Sequence, residues 1–282
     1  MIMASKHFHS RVRSVIYSLM AFLLSLVLFA LSFCITLEAT VLNPDFIINN
    51  MNSSSYFVDK RDEITRSLID LGNASGLKEE FFEGFLDELM INEDTCDYLE
   101  NYYSGEGKQI DTTQFKQSFN TALDKYIEDN KIESVNGESR ENLVRRAALI
   151  YSSSLEIPLF SRLSAYFISL KNIMPYIIAG VAFLGLVICA VIIFTNKWKH
   201  RAVRYLCYAF STAFLSVGIV PTVVLLSGKI SKINLTSRAL YNLFVQCSNS
   251  VFVALLFCAI FFLLIALCLF FAYRSLYKKV NR

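Results

Sequence analysis

The chain has 282 residues, 54% of them hydrophobic and 18% charged, with a mean hydropathy of +0.44 and a formal net charge of +3. A balance this apolar excludes both an ordinary water-soluble domain and a disordered chain. The net charge conceals a segregation: 23 of the 24 Asp and Glu residues lie in residues 43–172, and Glu38 is the exception just upstream.

Residues 1–13 form a basic tail that carries Lys6, Arg11 and Arg13. The apolar run 15–37 follows. It is long enough to cross a bilayer, since about 20 apolar residues at 1.5 Å rise span a ~30 Å hydrocarbon core. It also exceeds the roughly 7–15 residues of a cleaved signal h-region, so residues 14–42 are expected to form an uncleaved first transmembrane helix. Ser14, Ser18, Ala21, Ser25, Ser32 and Ala39 recur along it with seven-residue spacing, interrupted by Leu28. Small and hydroxyl side chains let membrane helices approach closely. Ser18, Ala21, Ser25 and Ser32 are therefore expected to line a packing seam and to hydrogen-bond across it.

Residues 43–172 read as an acidic, wholly helical domain with 23 acidic and 13 basic side chains, a difference of −10. Asn43-Pro44 places a capping residue before a proline at the first helical position. Phe57, Ile64, Leu68 and Leu71 then share one helical face, with Gly72 as a stop signal. Residues 77–90 repeat the scheme: Phe81, Phe82, Phe85, Leu86 and Leu89 take one side and Glu79, Glu80, Glu83, Asp87 and Glu88 the other. Two more amphipathic helices are expected at 111–130, around Phe115, Phe119 and Leu123, and from Ser139 through Val144, Ala148 and Tyr151. Pro158 opens a last apolar pattern that continues into the second span. As one helix, 158–195 would be ~57 Å long, a rigid stalk interrupted only at Pro175. About five helices over such a length suffice for one core, so the domain is expected to fold alone.

The remaining chain divides into a second transmembrane helix at 173–195, a basic loop at 196–204 and a third span at 205–227. A short loop at 228–244, a fourth span at 245–273 and a basic tail at 274–282 follow. The fold class is thus an all-α integral membrane protein of four transmembrane helices, with a large helical extracytoplasmic domain between the first and second. Eleven Lys or Arg residues and no acid occupy the two tails and the 196–204 loop. By the positive-inside rule both termini are cytoplasmic and residues 43–172 lie outside. Lys197, Trp198, Lys199 and Arg201 mark the membrane interface on the cytoplasmic side. The expected location is a plasma membrane, of bacterial type.

The seven cysteines give no disulfide framework, because Cys96 alone falls in the outer domain. His7, His9 and His200, the only histidines, all fall on the cytoplasmic side, which leaves the outer domain without Ser-His-Asp or His-bearing zinc chemistry. Glu79, Glu83 and Asp87, stacked four apart on the expected helix, are the one weak candidate for a divalent cation. A solvated acidic face explains them without an ion and is the preferred reading. No Asp, Lys or Arg lies in the core of a span, which counts against a proton-coupled pump. In topology alone the chain resembles FtsX-type permease subunits, although 196–204 is too short to dock an ATPase as those do. The Cys-Cys-Gly motif of tetraspanins and the Trp and paired Cys of claudins are absent, and no family is assigned.

The expected function is that of a non-enzymatic envelope membrane protein without cofactor, embedded in the lipid bilayer. Its outer domain would bind a partner protein, ligand or envelope component, or a second copy, and no nucleic acid. The alternative is an oligomeric channel or transport-complex component with an acidic, cation-attracting outer vestibule.

Overall fold

The computed structural model describes residues 2–82, 84–106, 109–131, 137–157, 160–196 and 198–280. The side chains of 2–12, 160–165 and 280 lie outside that description. Among the described residues the protein is 86% helix with no strand. In chain order the helices are α1 (Ile2–Ala39), α2 (Pro44–Ser53), α3 (Tyr56–Ala74), α4 (Glu88–Ser104), α5 (Thr113–Asp129), α6 (Gly137–Leu155), α7 (Phe160–Thr195), α8 (Lys199–Ser227) and α9 (Arg238–Val280). Single 3-10 turns occur at Glu79–Phe81 and Ile230–Lys232. Four helical stretches are long and apolar enough to cross a membrane: Arg13–Ala39, Tyr166–Thr195, Lys199–Ser227 and Arg238–Lys279. Pro158 and Leu159 lie outside the described residues, and α7 runs through Pro175 without a break.

The chain separates into two compact units. One comprises Met1–Val41, Lys171–Lys232 and Ser248–Arg282; the other comprises Leu42–Leu170 and Ile233–Cys247. The apolar unit packs α1 against α8. Tyr17, Ala21, Leu24 and Leu28 face Ala202, Tyr205, Ala209, Ala213 and Val217, and Ile192, Ala259 and Phe262 join the same cluster. Small residues allow the close approach: a Cβ on Gly218 would stand 3.3 Å from that of Ala259. Ala21, Ser25 and Ser32 are buried in α1, whereas Ser18 is exposed. The Ser25 and Ser32 hydroxyls do not reach across to a neighbouring helix. They donate to the carbonyls of Phe22 (2.7 Å) and Phe29 (2.8 Å) one turn back. A serine in a helix has this local acceptor always within reach, and here it wins.

The polar unit is built on aromatic packing. Phe115 stacks on Tyr151 with ring centroids 4.4 Å apart, and Phe81 and Phe85 meet Phe119 edge-on at 5.5 and 5.4 Å. Asn43 caps α2 as its sequence foretells, its side chain accepting from the Asp45 amide at 3.0 Å with Pro44 at the first helical position. α3 continues past Gly72, which serves a different purpose from stopping the helix. A Cβ there would fall 2.3 Å from the buried ring of Phe82, so Gly72 lets the 77–87 segment lie against α3.

That segment corrects the expected helix over 77–90. It is a 3-10 turn and a loop, with Gly84 in the left-handed region at φ 70°. Asp87 then caps a new helix by accepting from the Leu89 amide at 3.2 Å. The apolar spacing fits a helix, but Gly84 and the capping Asp87 in the middle of the pattern stop it. Leu89, inward in the expected helix, is 66% exposed.

Candidate functional site

The carboxylates singled out by their spacing are not stacked by one helix. Glu79 lies in the 3-10 turn, Asp87 is the cap of α4, and Glu83 lies outside the described residues. Among the described residues no three His, Cys, Asp or Glu side chains gather as a metal ion would require. At the start of α8, Trp198 occupies the cap position and is half exposed, and Lys199 and Arg201 are exposed in the first turns. Lys197 lies outside the described residues.

The most organised polar site lies elsewhere in the polar unit, where one edge of α3 meets the start of α9. The buried face of α3 is Phe57, Lys60, Ile64 and Leu68, and helical spacing sets Asp59 and Glu63 on its margin. Glu63 accepts from the Ser237 hydroxyl (2.8 Å), the Ala239 amide (3.1 Å) and the Lys60 ammonium (3.2 Å). Ser237 in turn accepts from the Leu240 amide at 3.2 Å, so two amides at the start of α9 are satisfied by side-chain oxygens. Asp59 accepts from Asn242 at 2.7 Å and pairs with Arg238 at 3.2 Å. The anchored turn buries Ala239 and Leu243 in the same apolar core as Ile64 and Phe115.

Burial pushes the Glu63 carboxyl upward, but the Ala239 amide, Ser237 and Lys60 outweigh it and hold it below the ordinary carboxylate value. Lys60 is almost fully buried, its ammonium 5.7 Å from the Tyr56 ring centroid. The Tyr56 hydroxyl is buried without a hydrogen-bond partner among the described residues, and burial raises its pKa, followed by the nearby Glu63 charge. Beside this cluster lies an open cleft of about 530 Å³, lined by Asp62, Arg66, Ser153, Glu156 and Thr236 among others. Sequence reading missed the site because it joins residues 174 apart. The available signal was a pair of acids four apart on the margin of an apolar helical face.

A second polar feature crosses the core. Tyr151 donates to Asp94 at 2.5 Å, linking α6 to α4. Burial, with Asp97, Asp111 and Glu93 nearby, raises the Asp94 carboxyl against that bond. On the outer face of α5 and α6 two hollows of about 500 and 360 Å³ share Lys116 and Arg145. Leu149 lines the larger one and is 61% exposed. Arg140, lining the smaller, pairs with Asp124 at 2.7 Å. No protein-family model matches the chain, and no curated protein or solved structure is similar to it.

Proposed function

We propose that the chain is a non-enzymatic, multi-pass plasma-membrane protein of bacterial type whose helical domain stands outside the cytoplasm and binds a partner protein. The observation that carries this reading is the α5–α6 groove. Neither Lys116 nor Arg145 is ion-paired among the described residues, and both stand in a groove with an exposed leucine. In a segment with a charge difference of −10, the two bring positive charge to one groove. Glu141 and Glu156 line the groove as well, which favours an amphipathic protein segment over a bare anion. The Glu63 and Asp59 clusters do not compete for this role, because their oxygens are engaged by the chain itself. The outward orientation rests on the eleven basic and no acidic side chains of the short polar segments.

Two modifications at Leu149 test the reading in intact cells. A Leu149→Cys variant should react with an impermeant thiol reagent without permeabilisation. Labelling only after permeabilisation would reverse the orientation. A photo-crosslinking side chain at the same position should give a discrete protein adduct that Arg145→Glu reduces about tenfold, as expected for a groove cation near a contact centre. An adduct indifferent to Arg145→Glu would remove the groove from the binding surface.

A further inference from the structure

We infer that the end of the apolar unit where α8 begins holds a phosphate group, with Arg204 as its principal ligand. Four side chains form a ladder there. The Arg13 guanidinium lies 5.6 Å from the Tyr17 ring centroid, Tyr17 and Tyr205 rings are 5.5 Å apart, and the Arg204 guanidinium lies 5.2 Å from Tyr205. The first guanidinium is satisfied: Arg13 donates to the Thr195 carbonyl at the end of α7 (2.7 Å), where Tyr17 also donates (2.9 Å). A cation on a helix C-terminal carbonyl is a structural pairing. Tyr205 is fixed in turn by a 3.0 Å hydrogen bond between its hydroxyl and Ser14.

Arg204 is different. Among the described residues its buried Nε has no hydrogen-bond partner, and its one hydrogen bond, from Nη2 to the Tyr205 hydroxyl, is 3.5 Å long. A guanidinium carries five donors and keeps its charge at any physiological pH, so a buried unpaired Nε is costly. The apolar unit has no side-chain carboxylate nearby to offer. The apolar unit contains a single acid, Glu38, which stands 25 residues along α1 from Arg13, roughly 37 Å of helix. The start of α8 makes the same demand independently. It is the positive end of a helix dipole, lacks a side-chain cap, and carries Lys199, Arg201 and Arg204 with no acid in its first turn. Lys199 and Arg201 in the first turn repel it, and an anion there relieves both.

A phosphate fits where a carboxylate is missing, because the guanidinium fork engages two of its oxygens while the ring of Tyr205 covers the cation's face. The flanking Trp198 and Tyr208, both about half exposed, are the side chains found at headgroup depth. The shared chemistry is a phosphate ester, supplied by an anionic lipid headgroup or by a free phosphate compound.

The full-length protein in nanodiscs of phosphatidylcholine, with or without phosphatidylglycerol, decides the matter by native mass spectrometry after mild release. The wild type should retain phosphatidylglycerol in preference to phosphatidylcholine. Arg204→Gln should lose that preference about tenfold, the effect of one charge-assisted hydrogen-bond partner. Lys229→Gln, the same change in net charge just past the other end of α8, should retain it. Excess glycerol phosphate that displaces the adduct would assign the site to phosphate as such, and failure to displace it would assign it to the lipid. Equal retention of both lipids by the wild type, or equal losses in the two variants, would overturn the inference. Thermal unfolding of Arg204→Gln in phosphatidylcholine alone serves as the folding control. A midpoint matching the wild type there, with only the wild type gaining stability from phosphatidylglycerol, is the expected pattern.

Discussion

Glu63 receives three donors, two of them from a chain stretch more than 170 residues away. Its folded pKa lies below the ordinary value of 4.5, so its contribution is fully present above that pH and is lost as pH falls through the folded value. Because the carboxylate is partly solvated, the magnitude is better taken from its hydrogen bonds, about 1–3 kcal/mol in all. Glu63→Ala should therefore raise amide exchange at residues 239–243 by about tenfold or more at neutral pH. Glu63→Gln should remove the additional opening that the wild type shows below pH 4.5. Exchange that is equal in wild type and Glu63→Ala would mean that the start of α9 is held by apolar burial alone. Gly72 is the other residue with a sharp requirement. Gly72→Ala drives a methyl into the Phe82 ring, which is 2% exposed, and should cost about 1–3 kcal/mol in a denaturant titration.

Among the elements, the boundary between the 77–87 loop and α4 separates two readings of one sequence. If 77–90 were a helix, Gly84→Ala would stabilise it by roughly 0.5–1 kcal/mol. With Gly84 at φ 70°, the same substitution strains the backbone and should destabilise by about 1–2 kcal/mol. Thermal melts of the two proteins give the sign directly. Phe119→Ala supplies the reference for a core deletion: the ring is fully buried against Phe81, Phe85 and Phe115, and its loss should cost roughly 3–5 kcal/mol. The helices with strong periodicity, α3, α5 and α6, were legible from Ile64, Leu68, Phe115, Phe119, Val144 and Tyr151 because those residues bury one face each. The four apolar helices were legible by length. The 77–87 turn was not, since Phe81, Phe82, Phe85 and Leu86 satisfy helical spacing and only Gly84 and Asp87 contradict it. The Glu63 clasp was hidden because a hydrogen bond between distant segments leaves no periodic trace. Arg204 was hidden by its place in a basic run, where the unpartnered Nε shows only in three dimensions.

At the level of the whole chain, the polar unit is assembled from two stretches, Leu42–Leu170 and Ile233–Cys247, with α8 and most of α7 lying between them in sequence. Two membrane crossings return a chain to the side it left, so a bilayer passage by both apolar helices brings the second stretch back to the first. An odd number would strand Ser237 away from Glu63. The expectation that residues 43–172 fold alone therefore meets a specific physical objection. Without Ile233–Cys247, Asp59 and Glu63 lose their partners, Lys60 stays buried beside them, and the core surface that covers Ala239 and Leu243 opens to water. The lost burial and hydrogen bonds amount to roughly 2–4 kcal/mol, a large share of the stability of a domain this size. Residues 42–170 expressed alone should be helical by circular dichroism but melt well below a version in which 233–247 is joined through a flexible linker. In that joined version, Glu63→Ala should lower the melt toward that of the shorter one, while leaving the shorter one nearly unchanged. Coincident melts of the two polypeptides would mean that the 233–247 stretch rests on the domain without stabilising it, and that the clasp positions α9 rather than completing a core.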